Sequence, residues 1–331
     1  MPFREIAGHD HLKELIARAA LRGTLPPSLI FAGPSGVGKA MMALALAQFV
    51  NCLAPMGEDA CGECASCRRI TRGVHADVLR IEPGETGAIK IEQIREAIER
   101  AAYRPFEGRR RVVIIDQAEQ MGVNAQDAIL KTLEEPPNAS TFILVTDTPD
   151  TLLPTIRSRC QRLRFGRLSP ADVAEVLIAG HEYPEADAHA AASLSDGSVG
   201  KALEGGSEDF LEARNAALQL LETVADDPGP ARRIMGAMNL PGATKGKADR
   251  DALGQSLRAL ASILRDLGAL GAQAEDRALA NSDLRPKLER LLRSFDNDRT
   301  LRAFAAVDRA LNALDRNASP KIVADWLSFQ I

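Results

Sequence analysis

The sequence predicts an α/β domain built on a parallel sheet, followed by helical domains. Three observations carry this. Short apolar runs at 29–32, 78–81, 111–115, 142–145 and 161–165, several rich in β-branched residues, alternate with helical patterns at 11–20, 39–51, 91–103 and 125–133. Strands separated by helices imply right-handed crossovers and a parallel sheet. A glycine-rich loop joins the first strand candidate to a helix, and beyond Leu168 no strand candidate is found.

Length and composition set the frame. The chain has 331 residues, of which 45% are apolar and 4% aromatic, so it can bury a core packed largely helix on helix. At about 150 residues per domain, two or more domains are expected. Forty-one basic against 45 acidic side chains leave a net charge of -4, which excludes a strongly basic nucleic-acid coat. The first residues are charged through Glu14, giving no apolar signal segment. The longest apolar run, 41–50, is half of the roughly 20 residues that span a bilayer. A cytoplasmic location is therefore expected. No short-period repeat or low-complexity tract is found.

The helical half has its own punctuation. Ser169 followed by Pro170 and Asp172 reads as a capped helix start, Tyr183-Pro184 as a breaker, and Gly205-Gly206-Ser207 as a joint. Helical patterns follow at 208–226, 231–240, 251–270, 284–295, 300–316 and 320–329. The stripe Leu257, Leu260, Ile263, Leu264 and Leu267 reads as the core of that region. The predicted domains are 1–166, 167–206 and 207–331.

Gly33-Pro34-Ser35-Gly36-Val37-Gly38-Lys39 has the spacing and context of a phosphate-binding loop. Gly33, Gly36 and Gly38 let the backbone wrap round a phosphate, the helix start adds a positive end, and Lys39 reaches the β and γ phosphates. Ala40 stands where such loops place a Ser or Thr hydroxyl on magnesium. Both a nucleotide site and a loop of phosphate-binding ancestry without turnover fit this pattern.

The strand at 112–115 ends in Asp116, placed like the carboxylate that helps hold magnesium. The next residue is Gln117, whose neutral amide can orient water but takes no proton at neutral pH. Glu119 reads as a solvated helix-start residue. Together Ala40 and Gln117 predict that this chain does not hydrolyse nucleotide itself.

Cys52, Cys61, Cys64 and Cys67 give a C-x8-C-x2-C-x2-C pattern. Four thiolates fill a tetrahedral Zn²⁺ site, which leaves no open position and so braces a loop rather than doing chemistry. Four unligated thiols are the alternative. Cys160 reads as a small buried residue.

The strand ending at Thr146 and Asp147 belongs beside the phosphate loop, where Thr146 either senses a phosphate or caps the next turn. Arg157 and Arg159 lie on the following connection. A guanidinium matches phosphate oxygens well, but these residues alone read first as surface ion-pair partners.

Read together, these pieces resemble the clamp-loader branch of AAA+ ATPases. Beyond the loop and the cysteines, the resemblance rests on Ile94-Arg95, Leu130-Lys131-Thr132-Leu133-Glu134-Glu135-Pro136-Pro137, the segment 153–160, Gly197-Ser198-Val199-Gly200-Lys201-Ala202-Leu203 and Asn317-Ala318-Ser319-Pro320. It implies a RecA-like P-loop domain carrying the zinc module at 52–67, a helical lid and an all-α collar that joins subunits into a ring. It also implies partners: neighbouring subunits, a sliding clamp and primed DNA. In such a ring the Ser158-Arg159-Cys160 element faces the nucleotide of the next subunit, making Arg159 a finger supplied in trans. Gly33, Gly36, Gly38, Lys39, Asp116 and Thr146 would form a degenerate site in which ATP or ADP binding without hydrolysis stays open.

Two rival readings are set against it. An ATP-hydrolysing motor subunit of the same family is expected to have Ser or Thr at 40, Glu at 117 and a lid arginine where this chain has Gly200. Lys201 points about 100° away on a helix and is a doubtful substitute. A stand-alone zinc-module nucleic-acid binder would use Arg109, Arg110 and Arg111 with Arg157, Arg159, Arg162 and Arg164. It leaves the phosphate loop unexplained and has few aromatic rings for base stacking.

Overall fold

The computed structural model describes all residues except 85, 205–206, 227–228, 244–246, 274–278 and 317. The glycines of the expected joint at 205–206 and the asparagine at 317 therefore lie outside the described residues. Two compact units divide at Leu168 and Ser169.

Unit one is a five-stranded parallel sheet with helices on both faces. Its strands are β1 (Ser28–Ala32), β2 (Val78–Ile81), β3 (Arg111–Ile115), β4 (Ser140–Thr146) and β5 (Gln161–Arg164), in the order β2-β3-β4-β1-β5. Its helices are α1 (Asp10–Leu21), α2 (Lys39–Asn51), α3 (Ala65–Thr71), α4 (Ile91–Ala102), α5 (Val123–Glu134) and α6 (Pro154–Arg157). The three central strands are buried end to end, which is why they read as continuous apolar runs. Side chains alternate between the faces. Leu29, Phe31, Val112, Ile114, Ile143 and Val145 pack with α1 and α2, whereas Ile30, Val113, Ile115, Phe142 and Leu144 pack with α4, α5 and α6.

Register sets the site. Ala32 pairs with Thr146, and Ile115 with Leu144, so the carboxyl ends of β1, β3 and β4 lie along one edge of the sheet. Ligands of open α/β sheets bind outside that edge. The lateral margins are β2 and β5, each four residues long, and β5 exposes Gln161, Arg162 and Arg164.

Among its described residues, unit two is entirely helical: α7 (Pro170–His181), α8 (Glu185–Leu194), α9 (Val199–Glu204), α10 (Ser207–Asp226), α11 (Pro230–Met238), α12 (Lys247–Gly271), α13 (Arg285–Leu291), α14 (Asn297–Asp315) and α15 (Pro320–Ser328). Ser169 caps α7, its side chain accepting from the Asp172 N–H at 3.1 Å while the Asp172 carboxylate accepts from the Ser169 N–H. Leu257, Leu260, Ile263, Leu264 and Leu267 are buried where α12 packs on α10 and α14. No helix of the described residues is long and apolar enough to cross a membrane.

Candidate functional site

The loop between β1 and α2 has the backbone that its glycines allow. Gly36 and Gly38 adopt φ of 72° and 97°, a region that costs a residue with a Cβ about 1 kcal/mol or more. Gly33 is needed for another reason. A Cβ there would fall 2.3 Å from the Phe165 carbonyl oxygen, so a side chain would push the end of β5 away from the loop.

Lys39, only 5% exposed, starts α2 and turns its ammonium back across the loop. It donates to the carbonyl oxygens of Gly33 at 2.8 Å and Pro34 at 2.6 Å, and to Asp147 Oδ1 at 2.6 Å. An ammonium has three protons, and these three acceptors use all of them. Thr146 is buried at the end of β4. Its backbone carbonyl accepts from the Gly33 N–H at 3.2 Å, and its hydroxyl accepts from the Thr148 N–H at 3.2 Å.

Asp116 follows β3 on the same edge. Its Oδ2 accepts from the Arg80 guanidinium at 2.8 Å and its Oδ1 from the Gln117 N–H at 3.0 Å. Gln117 itself sits in the left-handed region at φ 50°. Arg80 also pairs with Glu82 at 2.7 Å. Sequence reasoning put Gly33, Lys39, Asp116 and Thr146 together, and the sheet brings them to one edge. It missed the partners Asp147 and Arg80 as such, because opposite charges far apart in sequence carry no pairing signal.

Arg159 follows α6, with its side chain 33% exposed. It donates to the Thr155 carbonyl at 2.9 Å and pairs with Glu134, the first glutamate of the Leu-Glu-Glu-Pro-Pro run. Arg157 pairs separately with Asp150 at 2.5 Å. Cys160 is buried, and burial pushes its thiol up to about 12. Arg111 is also buried and held by Asp77 at 2.7 Å, so the arginine run 109–111 is not one exposed basic patch.

The four cysteines converge. All four sulfurs lie within 4.8 Å of one another, with Cys52 and Cys67 buried and Cys61 and Cys64 half-buried. Zinc–sulfur bonds of about 2.3 Å place tetrahedral sulfurs about 3.8 Å apart. The Cys52–Cys61 and Cys61–Cys67 separations are 3.5 and 4.0 Å. Backbone N–H groups of Cys61, Cys64 and Cys67 point at the sulfurs of Cys52, Cys61 and Cys64 at 3.3 to 3.4 Å, favouring thiolates. Burial pushes the Cys52 and Cys67 thiols up. At Cys64 burial acts the same way, but the N–H groups of Cys67 and Leu53 outweigh it and bring the thiol down. The donor set fits a divalent soft metal such as zinc.

A parallel sheet with a glycine loop after its first strand and a carboxylate after β3 defines a P-loop α/β domain. A protein-family profile described as "DNA polymerase III, delta subunit" matches residues 8–169. Over 244 residues the chain is 31% identical to DNA polymerase III subunit tau of Bacillus subtilis, covering 73% of this chain and 41% of that protein. It is 34% identical over 174 residues to subunit tau of Escherichia coli, 53% of this chain and 26% of the relative. It is also 40% identical over 129 residues to subunit delta' of Pseudomonas aeruginosa, 39% of each. The matched regions thus span less than half the length of these relatives. The domain at 8–169 belongs to the DNA polymerase III clamp-loader family of AAA+ proteins.

Proposed function

We propose that this chain is a delta-prime-type subunit of a bacterial DNA polymerase III clamp loader. It acts as a stator that does not hydrolyse nucleotide and lends Arg159 to the ATP site of an adjacent gamma or tau subunit. The observation that carries this is a contrast within one domain. Arg159 is retained on the partly exposed connection after α6, while the chain's own site has Ala40 and Gln117 where hydrolysis needs a hydroxyl and a carboxylate. The internal partners of Lys39 and Asp116 support the same reading, since both charges are already satisfied by the protein.

In this reading Gly33, Gly36, Gly38, Lys39, Asp116 and Thr146 are a degenerate nucleotide site. Cys52, Cys61, Cys64 and Cys67 hold a structural zinc ion, which supplies cross-linking and no chemistry. Residues 167–206 form a lid, and 207–331 a collar that joins the delta and gamma or tau subunits. The complex engages the sliding clamp and primed DNA, in the cytoplasm.

The long match to tau favours a second reading, an ATP-hydrolysing motor subunit. One experiment separates them: magnesium-dependent ATP hydrolysis by the isolated chain, then by a complex reconstituted with gamma or tau, delta, clamp and primed DNA. No turnover alone, and stimulated turnover that depends on Arg159, supports the stator. Brisk turnover by the isolated chain overturns it.

A further inference from the structure

We infer that the cysteine module sets the conformation of the loop 103–110 between α4 and β3, so that metal occupancy controls how this loop presents its two exposed aromatic rings. The inference rests on the metal reading of the four cysteines.

The loop carries Tyr103 and Phe106, 66% and 84% exposed. Its backbone is nevertheless held firmly from below. Asp77, fully buried, accepts the N–H groups of Phe106, Glu107 and Gly108 at 2.8, 2.8 and 2.7 Å. The Phe106 ring is thus presented on a hydrogen-bonded base.

That base is attached to the module at both ends of the cysteine set. Asn51 immediately precedes Cys52. Its amide donates to the Arg110 carbonyl and accepts from the Arg110 N–H, each at 2.9 Å. A Cβ on Gly108 would lie 2.6 Å from Asn51 Oδ1, so the loop fits against this side chain closely. At the other end, Ser66 and Arg69 flank Cys67 on α3. Arg69 pairs with Glu107 at 2.8 Å, and the Ser66 hydroxyl meets His75 Nε2 at 3.2 Å. His75 Nδ1 in turn accepts from the Asp77 N–H at 3.1 Å, which makes Nε2 the donor to Ser66.

Helix α3 has seven residues, too few to stand without tertiary support, and its first turn is organised by two cysteines: Cys64 caps it by accepting from the Cys67 N–H. Without metal the caps and the helix lose their anchor, and Ser66 and Arg69 lose theirs with it. The neighbours of the first and last cysteines, Asn51 and Arg69, therefore hold one loop from two sides, which gives the module a task beyond local bracing.

Hydrogen exchange of the full chain, zinc-loaded and after EDTA, tests this, with metal analysis of the same samples. Protection of the Phe106, Glu107, Gly108 and Arg110 amides is expected to fall by about tenfold or more without metal, while β1 and β4 amides keep theirs. Ser66→Ala combined with Arg69→Ala is the second arm, because it leaves all four cysteines in place. It should retain one zinc per chain and still raise exchange at 106–108. A zinc-loaded double variant with unchanged protection overturns the inference and leaves the metal reading standing. A chain that neither carries nor takes up zinc overturns both.

Discussion

Lys39 Nζ and Asp147 Oδ1 lie 2.6 Å apart, joining the start of α2 to the residue after β4 across the mouth of the glycine loop. An incoming phosphate must displace this carboxylate from the one cation that the loop aims inward. The loop keeps its fold because the pair satisfies a nearly buried ammonium, whether or not phosphate is there.

Lys39→Ala is accordingly expected to leave the clamp-stimulated ATPase of a reconstituted complex almost unchanged. Steady-state hydrolysis checks it, and loss of most of the activity would point to a motor instead.

Arg159→Ala is expected to lower that same ATPase by the contribution of the single site it faces, because a finger accelerates only the phosphoryl group it touches. Its pairing with Glu134 is partly exposed, so thermal stability should shift by no more than about 1 kcal/mol. Equal turnover in variant and wild type would remove the finger.

Asp77 yields a pH prediction. Burial acts to raise its carboxyl, but the Arg111 guanidinium and three backbone N–H groups outweigh that and hold it at about 2, below the ordinary 3.8. A depressed folded value means stability that is fully present above the ordinary pKa and lost as pH falls towards 2. The shift corresponds to about 2 kcal/mol. Asp77→Asn should cost about 3 kcal/mol at pH 7, since Arg111 stays buried without its countercharge. The gap to wild type in urea denaturation should narrow between pH 4 and pH 2; a constant gap would contradict the assignment.

Metal removal should show in thiol chemistry as well as in exchange. In the zinc-loaded fold a thiol reagent at pH 8 should find no fast-reacting cysteine, and after chelation the four of the cluster. Cys160 should react only on unfolding, being buried with its thiol pushed up to about 12. The melting temperature should drop by about 10 °C on chelation.

Much of the fold was legible because buried parallel strands leave an unmistakable apolar text. The runs at 78–81 and 111–115 and the helix at 39–51 coincide with β2, β3 and α2, and other ends differ by up to four residues, the largest gaps being at the start of α12 and the end of α13. Short elements were not legible. Helix α3 lies among cysteines and arginines with no apolar period, and four-residue α6 is shorter than any helical period can register. In the candidate site, glycines and lysine announced themselves through spacing. Asp77, Arg80 and Glu134 did not, because their roles come from partners that only the sheet register and packing supply.

The margins of the sheet carry one more consequence. β5 ends the array with two outward arginines and β2 is equally brief, so neither border offers a stranger's backbone a long, neutral rail to zip onto. Crowded molecules of this protein are thereby kept from fusing into continuous ribbons.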